Sequence, residues 1–230
     1  MAFLRERGLG QISPLVGASP DAPVQGGGSG DSIGPAALVA GRDRPTRPSG
    51  PRPGVLLDRD GTIIVDHGHV GSIDRVEFID GAAEAIGRLN WAGVPVAVVT
   101  NQAGVARGFY DISDVEEVHL YIAERLAEHG AHVDRFFYCP YHPDGSVPEF
   151  ARTSDDRKPM PGMARAAAEA LNLDLTSSWV VGDRMEDIGL AEAVGASAIH
   201  VGPGTCTRPG VRTLPDLSYA ADFILERIAA

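Results

Sequence analysis

Short apolar runs alternate with stretches of helical periodicity from residue 54 to the end of the chain. Residues 94–99 are almost all apolar, which is typical of a parallel strand buried on both faces. Apolar runs at 55–57, 133–138, 179–181 and 196–201 predict four more strands. Helices are predicted at about 81–91, 113–130, 161–171, 186–194 and 220–228. This alternation predicts an α/β fold: a doubly wound, Rossmann-like parallel sheet with helices on both faces. No inserted domain is evident between the predicted elements, so no large cap domain is expected.

Capping residues give expected positions for three of the helix starts. Asp80 is a plausible N-cap for the first helix, and Gly93 closes that helix. Ser113 and Glu116 match a capping box, and Pro161 suits the first turn of the following helix. A long irregular segment, about 139–159, precedes Pro161, and a loop of that length inside a domain is usually functional.

Residues 1–50 differ from the rest of the chain in composition. Glycines cluster at 26–30, and arginines alternate with prolines at 42–52. Such a segment buries too little apolar surface to offset the entropy of ordering it. We therefore expect a disordered Gly/Pro/Arg-rich tail at 1–50 and one globular domain at 51–230.

The charge balance and the cysteine count narrow the class of protein. The net charge is −11 and the pI about 5.0, which argues against a nucleic-acid partner. Two cysteines are too few for a disulfide framework, and this low number favours a reducing compartment. Arg5, Glu6 and Arg7 stand where a signal peptide is apolar, and no apolar run is long enough to span a membrane. We expect a cytoplasmic monomer with no membrane partner.

Two carboxylates follow the first predicted strand directly. Asp58 ends the apolar run, Asp60 comes two residues later, and Gly61 allows a sharp turn. The dipeptide Asp60-Gly61 alone is equally typical of a plain hairpin turn. Two close carboxylates repel, however, and Mg²⁺ suits such a pair because it binds one or two carboxylates together with water and phosphate oxygens.

Other polar residues also fall at predicted strand ends. Thr100 and Asn101 follow the long apolar strand, Asp183 follows the strand at 179–181, and Arg157-Lys158 precedes a helix. In open parallel sheets, ligands bind beyond the carboxyl ends of the strands. Carboxylates for a metal, a hydroxyl, an amide and fixed cations on one rim suit phosphoryl transfer.

These residues resemble the four motifs of the haloacid-dehalogenase (HAD) superfamily of phosphatases. Asp58 to Thr62 match Asp-x-Asp-Gly-Thr, Thr100 matches the second motif, Lys158 the third, and Gly182-Asp183 with Asp187 the fourth. Further stretches, at 66–70, 78–81, 100–104, 139–143 and 157–159, resemble the D-glycero-D-manno-heptose 1,7-bisphosphate phosphatase branch, which is close to the histidinol-phosphate phosphatases. That branch makes heptose precursors of glycoconjugates.

The resemblance implies a role for each matching residue. Asp58 is the expected nucleophile, which forms an aspartyl-phosphate, and Asp60 the general acid and base. Mg²⁺ is expected on the side chains of Asp58 and Asp183 and on the backbone carbonyl of Asp60, while Thr100 and Lys158 hold phosphoryl oxygens. The residues expected to meet the sugar or its second phosphate are Asp66, His67, Gly68, His69, Asn101, Gln102, Ala103, Arg157 and Arg184.

The chain departs from the branch at one loop. Members often carry a zinc site there, but the four ligand positions hold Cys139, Tyr141, Ser154 and Asp156. A structural zinc needs four tight ligands, so we expect no zinc and a loop held by packing. His69, Ala103 and Arg184 stand where Tyr, Ser and Lys are usual in the branch.

Two alternatives remain beside the heptose substrate. The first is a histidinol-phosphate or other small phosphosugar phosphatase. The second, from another class, is a receiver-type phospho-accepting domain, which places its acceptor Asp on a middle strand rather than on the first. Outside the rim, His119 and His129 are expected to be solvated on a helix.

Overall fold

The structure, a computed structural model, describes residues 10–12, 50–204 and 206–229. Within these ranges seven strands form one sheet, in the order β1-β4-β3-β2-β5-β6-β7. The strands are β1 (Gly10–Ile12), β2 (Val55–Leu57), β3 (Val96–Asn101), β4 (Arg135–Cys139), β5 (Trp179–Gly182), β6 (Ser197–Val201) and β7 (Arg212–Leu214). All neighbours from β4 to β7 are parallel, and β1 alone pairs antiparallel, with β4.

In the described part of the chain six helices accompany this sheet, and five of them pack on its faces. The six are α1 (Ala82–Trp91), α2 (Ala103–Ala106), α3 (Ile112–Glu128), α4 (Gly162–Leu171), α5 (Met185–Val194) and α6 (Leu217–Ile228). Leu57 and Val98 pack on one face with apolar residues of α1, α3 and α6. Leu56 and Val99 point to the other face, against α4 and α5. The strands are buried on both sides because alternate residues serve two separate cores.

The strand order confirms the predicted doubly wound α/β sheet. From the central strand β2, the chain adds β3 and β4 on one side and then crosses to add β5, β6 and β7 on the other. The order in which strands are added therefore reverses between β2 and β5, which stay parallel, and a crevice forms at the carboxyl ends of those two strands. No second domain interrupts the described segment 50–204.

The three predicted helix starts are displaced, two of them by one residue and that of α3 by two. Gly81, in the left-handed region at φ 77°, precedes α1 instead of Asp80. The capping box of α3 is formed by Asp111 and Asp114 rather than by Ser113 and Glu116. An aspartate two residues earlier competes successfully because its carboxylate accepts the Asp114 N–H at 3.1 Å while Asp114 accepts the Asp111 N–H at 2.7 Å. Pro161 is the residue just before α4.

The amino-terminal prediction is corrected at three residues. Gly10–Ile12 form β1, which extends the sheet beyond β4, whereas the sequence was expected to be unstructured there. The rest of the predicted tail up to residue 49 lies outside the described residues, and the domain boundary near residue 51 stays a prediction. Among the described residues, no helix combines the length and the apolar character needed to cross a membrane.

Candidate active site

Asp58 and Asp183 meet at the crevice between the two central strands. Asp58 directly follows β2, and its N–H donates to Val181 O at 2.9 Å. Asp183 directly follows β5, the parallel neighbour of β2. Carboxylate oxygens of Asp58, Asp183 and Asp187 all lie within 4.8 Å of one another. The sheet therefore gathers the acidic residues that the sequence placed at separate strand ends.

Glycine at position 61 makes this gathering possible. Its φ of +83° lies in the left-handed region, and an ideal Cβ there would lie 2.2 Å from Asp183 Oδ2. A side chain at this position would therefore collide with the carboxylate as well as strain the backbone. The turn at Asp60-Gly61 therefore packs closely against the Asp183 carboxylate, which a plain hairpin turn would not require.

Lys158 reaches the same cluster from the long loop before α4. Its ammonium Nζ lies 2.8 Å from Asp58 Oδ1 and 2.6 Å from Asp187 Oδ1, and its side chain is 3% exposed. Asn101, at the end of β3, fixes the Lys158 main chain: its Oδ1 accepts the Lys158 N–H at 2.9 Å and its Nδ2 donates to Lys158 O at 3.1 Å. Asn101 thus orients the lysine as well as lining the cavity.

Asp187 is a site residue that the sequence prediction named in a motif but did not place in the site. It lies in the first turn of α5, where its Oδ2 accepts the Arg184 N–H at 3.1 Å. Its other oxygen accepts from Lys158 Nζ. An ideal Cβ at Gly182 would lie 2.2 Å from Asp187 Cγ, so the glycine leaves room for this carboxylate. The spacing Gly-Asp-x-x-x-Asp was the available signal.

Burial dominates the electrostatics of the cluster. It raises the pKa of Asp58 to about 7, with Asp187 and Asp60 adding to the rise and Lys158 opposing it. Burial and the neighbouring Asp58 raise the pKa of Asp183 to about 6. Burial disfavours the charged form of Lys158, but the Asp187 and Asp58 carboxylates outweigh it and raise the pKa of that ammonium. The ammonium of Lys158 thus contacts two of the three carboxylates, those of Asp58 and Asp187, which leaves Asp183 without it. The cluster therefore favours a further cation.

Asp60 is held by two neighbours and faces the same cavity. Arg59 donates to both carboxylate oxygens, from Nε to Oδ2 at 3.1 Å and from Nη2 to Oδ1 at 3.1 Å. Gln102 donates to Asp60 Oδ2 at 2.9 Å and to Thr100 Oγ1 at 2.8 Å. The amide of Gln102, predicted to bind substrate, therefore links the second carboxylate to the threonine of the second motif.

His119 is not solvated, contrary to prediction. Its ring is fully buried, stacks on Phe136 at a centroid distance of 4.8 Å and lies 3.3 Å from Arg59 Nη1. The helical pattern placed His119 beside the apolar residue Val118, but it did not show that a buried arginine from another element would provide a polar partner.

The cavity above these residues has a volume of about 260 Å³. Most of the predicted site residues line it, and Arg107, Tyr110 and Glu186 line it as well, although the sequence prediction did not include them. The predicted residues on its wall are Asp58, Asp60, Asp66, Gly68, His69, Thr100, Asn101, Gln102, Ala103, Arg157, Lys158 and Arg184. Four basic side chains, those of Lys158, Arg107, Arg157 and Arg184, therefore surround a space the size of a small sugar phosphate.

Three of the four residues in the loop at 66–69 line the cavity, and His67 does not. Asp66 forms an ion pair with Arg184, and its Oδ1 accepts the Gly68 N–H at 2.8 Å. Partial burial opposes the effect, but the Gly68 N–H and Arg184 lower the pKa of Asp66. His67 instead turns to Glu77, with Nε2 2.8 Å from Oε2, and it is not among the residues that line the cavity.

The four residues at the zinc-ligand positions of the branch are linked by other interactions. Cys139 is fully buried, its Sγ donates to Tyr141 O at 3.9 Å, and burial raises the pKa of its thiol to about 11. The Arg152 guanidinium lies 3.9 Å from the centroid of the Tyr141 ring, a cation–π contact. Ser154 Oγ donates to Asp156 Oδ2 at 3.3 Å. These contacts agree with a loop held by packing, and the expected lack of zinc stays a prediction.

Comparison with known proteins places this geometry in a family. Residues 156–230 match the model of the HAD-hydrolase-like family. The D-glycero-β-D-manno-heptose-1,7-bisphosphate 7-phosphatase of Escherichia coli is 42% identical over 177 residues, which are 77% of this chain and 90% of that protein. The protein of the same name from Yersinia pestis is 41% identical over 181 residues, 77% of this chain and 92% of the relative.

A solved structure agrees with these relatives. The D,D-heptose 1,7-bisphosphate phosphatase of B. bronchiseptica, complexed with magnesium and phosphate, is 33% identical and superposes with a TM-score of 0.68 over 76% of this chain and 99% of that one. The chain therefore belongs to the HAD-like phosphatases, which are phosphomonoester hydrolases, and within them to the family of the heptose-1,7-bisphosphate 7-phosphatases.

Proposed function

We propose that the chain is an Mg²⁺-dependent phosphatase that removes the C7 phosphate of D-glycero-D-manno-heptose 1,7-bisphosphate in the biosynthesis of nucleotide-activated heptose. One observation carries the chemical part of this proposal: Asp58, at the end of the central strand, contacts the buried ammonium of Lys158 beside a second carboxylate, Asp60, that faces the same cavity. The choice of sugar rests on the relatives from Escherichia coli, Yersinia pestis and B. bronchiseptica, which are named as phosphatases of this bisphosphate.

The acidic cluster fits a hard divalent cation. Asp183 Oδ1 is buried and has no hydrogen-bond partner among the described residues, which is costly unless an ion or water completes it. Asp58 and Asp183 offer carboxylate oxygens, the ligand type that Mg²⁺ prefers, and the backbone carbonyl of Asp60 stays the third proposed ligand. Asp187, by contrast, is already used by Lys158 and the start of α5. When bound, Mg²⁺ would neutralise negative charge on the transferring phosphoryl group.

The side chains support a double displacement. Asp58 attacks phosphorus and forms an aspartyl-phosphate, while Asp60 gives a proton to the departing sugar oxygen. Asp60 then accepts a proton from the water that attacks the aspartyl-phosphate. Lys158 and the Thr100 hydroxyl hold the phosphoryl oxygens, and Lys158 also favours the ionised form of Asp58 that the first step needs.

The basic wall of the cavity suits the second phosphate of the substrate. Arg157 and Arg184 were expected there, and Arg107 lies on the same wall. An arginine fork binds a phosphate through two parallel hydrogen bonds, so three such side chains can hold a phosphate that does not react. The Asp66–Arg184 ion pair orients one of them and keeps a carboxylate available for a sugar hydroxyl. A monomeric state and a cytoplasmic location stay predictions.

The experiment that tests this function is an assay of phosphate release from both anomers of heptose 1,7-bisphosphate and from histidinol phosphate, each with Mg²⁺ or with EDTA. We expect Mg²⁺-dependent release of one phosphate per heptose, and faster release from the β anomer, after which the relatives are named. Release from histidinol phosphate alone would keep the chemistry and overturn the pathway. Equal release in EDTA would overturn the role of the metal.

The raised carboxylate pKa values predict that Mg²⁺ binding depends on pH. The pKa values of Asp58, about 7, and Asp183, about 6, mean that both groups hold protons in weak acid, and a cation must displace them. Affinity for Mg²⁺ should therefore rise at least about tenfold from about pH 5.5 to about pH 7.5, with proton release on binding. Calorimetry in two buffers with different ionisation enthalpies measures both quantities.

The Asp183→Asn variant is the matched control for this titration. It keeps the shape of the side chain and removes one titrating ligand, so it should release fewer protons and bind Mg²⁺ more weakly at the higher pH. An affinity that is the same at both pH values would show that the cluster does not hold the metal.

A further inference from the structure

A fully buried arginine stands between the two aspartates of the first motif. Arg59 has no exposed surface, yet every polar group of its side chain has a partner. Besides its two bonds to Asp60, Nη2 donates to Val70 O at 2.7 Å and to Gln102 Oε1 at 3.1 Å, and Nη1 lies 3.3 Å from His119 Nε2. A charge can be buried only with such partners, so the position is built around a guanidinium.

The hydrogen-bond partners of Arg59 show which ionised group its charge stabilises. A guanidinium only donates hydrogen bonds, so His119 Nε2 must be the acceptor and the imidazole must be neutral. Burial, helped by the charge of Arg59, lowers the pKa of His119 well below its ordinary value, in agreement with that state. Among the described residues, Asp60 is then the one carboxylate that the guanidinium contacts, and both of its oxygens accept from it.

Gln102 completes the support from the opposite side. Its Oε1 accepts from Arg59 and from the Tyr110 hydroxyl, at 2.8 Å, so its Nε2 is left to donate to Asp60 Oδ2 and to Thr100 Oγ1. All four hydrogen-bonding positions of the amide are used, which fixes its orientation. Asp60 thus accepts hydrogen bonds from three donor nitrogens, two of Arg59 and one of Gln102. Its side chain stays 18% exposed and lines the cavity.

We propose that Arg59, supported by Gln102, is a positioning residue for proton transfer: it aims the carboxyl group of Asp60 at the leaving oxygen of the substrate. This inference rests on the proposed phosphatase function and goes beyond it, because the double displacement described above gives no role to Arg59 or Gln102. A loosely held carboxyl group would still fit the cavity, but it would visit the productive geometry rarely.

Substrates with different leaving groups distinguish this positioning role from a general loss of structure, which would slow the reaction of every substrate. The ratio kcat/KM covers the steps up to departure of the leaving group and excludes hydrolysis of the aspartyl-phosphate. A sugar oxygen needs the proton of Asp60 to depart, whereas p-nitrophenolate departs without it. We expect Arg59→Lys to lower kcat/KM about 100-fold for the heptose bisphosphate and less than about tenfold for p-nitrophenyl phosphate, within the range that general acid catalysis supplies.

A second readout comes from the hydrolysis step. Asp60 is also needed to activate the water, so Arg59→Lys should release a rapid burst of p-nitrophenol followed by slow turnover. Asp60→Asn should show the same split between substrates with a larger loss. The matched control is Arg125→Lys, the same chemical change at an arginine on α3 that pairs with Glu128, and it should leave both rates unchanged.

Milder variants cover the case in which Arg59→Lys does not fold. Gln102→Met keeps the side-chain length and removes one donor to Asp60, and Tyr110→Phe removes only the bond that orients Gln102. In both variants, kcat/KM should fall more for the heptose bisphosphate than for p-nitrophenyl phosphate. Equal losses with the two substrates would overturn the positioning role, while a wild-type protein that releases no phosphate from either would overturn the proposed function instead.

Discussion

The Asp58→Asn variant is expected to lose phosphatase activity by about 10⁴-fold or more, as other enzymes do when the nucleophile is removed. An amide is far too weak a nucleophile to form the acyl-phosphate. The fold should survive, because the Asn oxygen can still accept the Arg59 N–H that Asp58 Oδ1 accepts at 2.7 Å. Steady-state phosphate release measures the loss, and thermal unfolding shows that the variant is folded.

Trapping the intermediate identifies what was lost. Asp60→Asn keeps the nucleophile and removes the base for the second step, so after acid quenching with p-nitrophenyl phosphate the peptide containing residue 58 should carry an added phosphoryl mass. Asp58→Asn should carry none. Substantial turnover by Asp58→Asn would mean that water attacks the substrate directly and that no aspartyl-phosphate forms.

Replacing Lys158 with methionine should also produce a large loss, about 10³-fold in kcat/KM, typical of removing a donor that stabilises transition-state charge. Lys158 opposes the rise in the pKa of Asp58, so without it that pKa lies still higher. The ionised nucleophile then forms only at higher pH. The rise of kcat/KM with pH should therefore move to higher pH in Lys158→Met.

Stability changes in the same variant for a related reason. Lys158 is the shared ammonium of two buried carboxylates, and removing one member of a buried ion pair costs about 3–5 kcal/mol. We expect a drop of about that size in the unfolding free energy in EDTA, measured by denaturant titration. Arg165→Met, which removes an exposed cation from α4, is the matched control and should change neither property. Wild-type activity in Lys158→Met would remove the lysine from the mechanism.

The fold and the centre of the site could be predicted from sequence because they depend on short-range patterns. Each apolar run that ends at a carboxylate or a threonine is a strand that delivers this group to the rim, and the parallel order brings the ends together. Asp58, Thr100 and Asp183 are therefore found at the strand ends where the pattern placed them. Lys158 arrives through a loop, and the pattern placed it on the rim only as a cation before a helix. Its specific role needed the family motif.

What could not be predicted depends on contacts between distant elements. Arg59 was treated as the variable residue between two aspartates, since nothing local shows that Gln102 and His119 surround it. His67 was expected at the substrate, but Glu77, ten residues later, draws it aside. The strand Gly10–Ile12 was missed because its partner β4 lies more than a hundred residues away and its composition favours a loop.

The close approach of Gly61 to Asp183 limits which residues this chain can carry at the two positions. A substitution at position 61 meets the carboxylate and a left-handed backbone at once, and shortening the residue at 183 would relieve only the first while removing a proposed metal ligand. No substitution at position 61, alone or combined with one at position 183, keeps both the turn and the acidic cluster. In this chain, a change toward another substrate is therefore easier in the loops around the cavity than at this turn or at the end of β5.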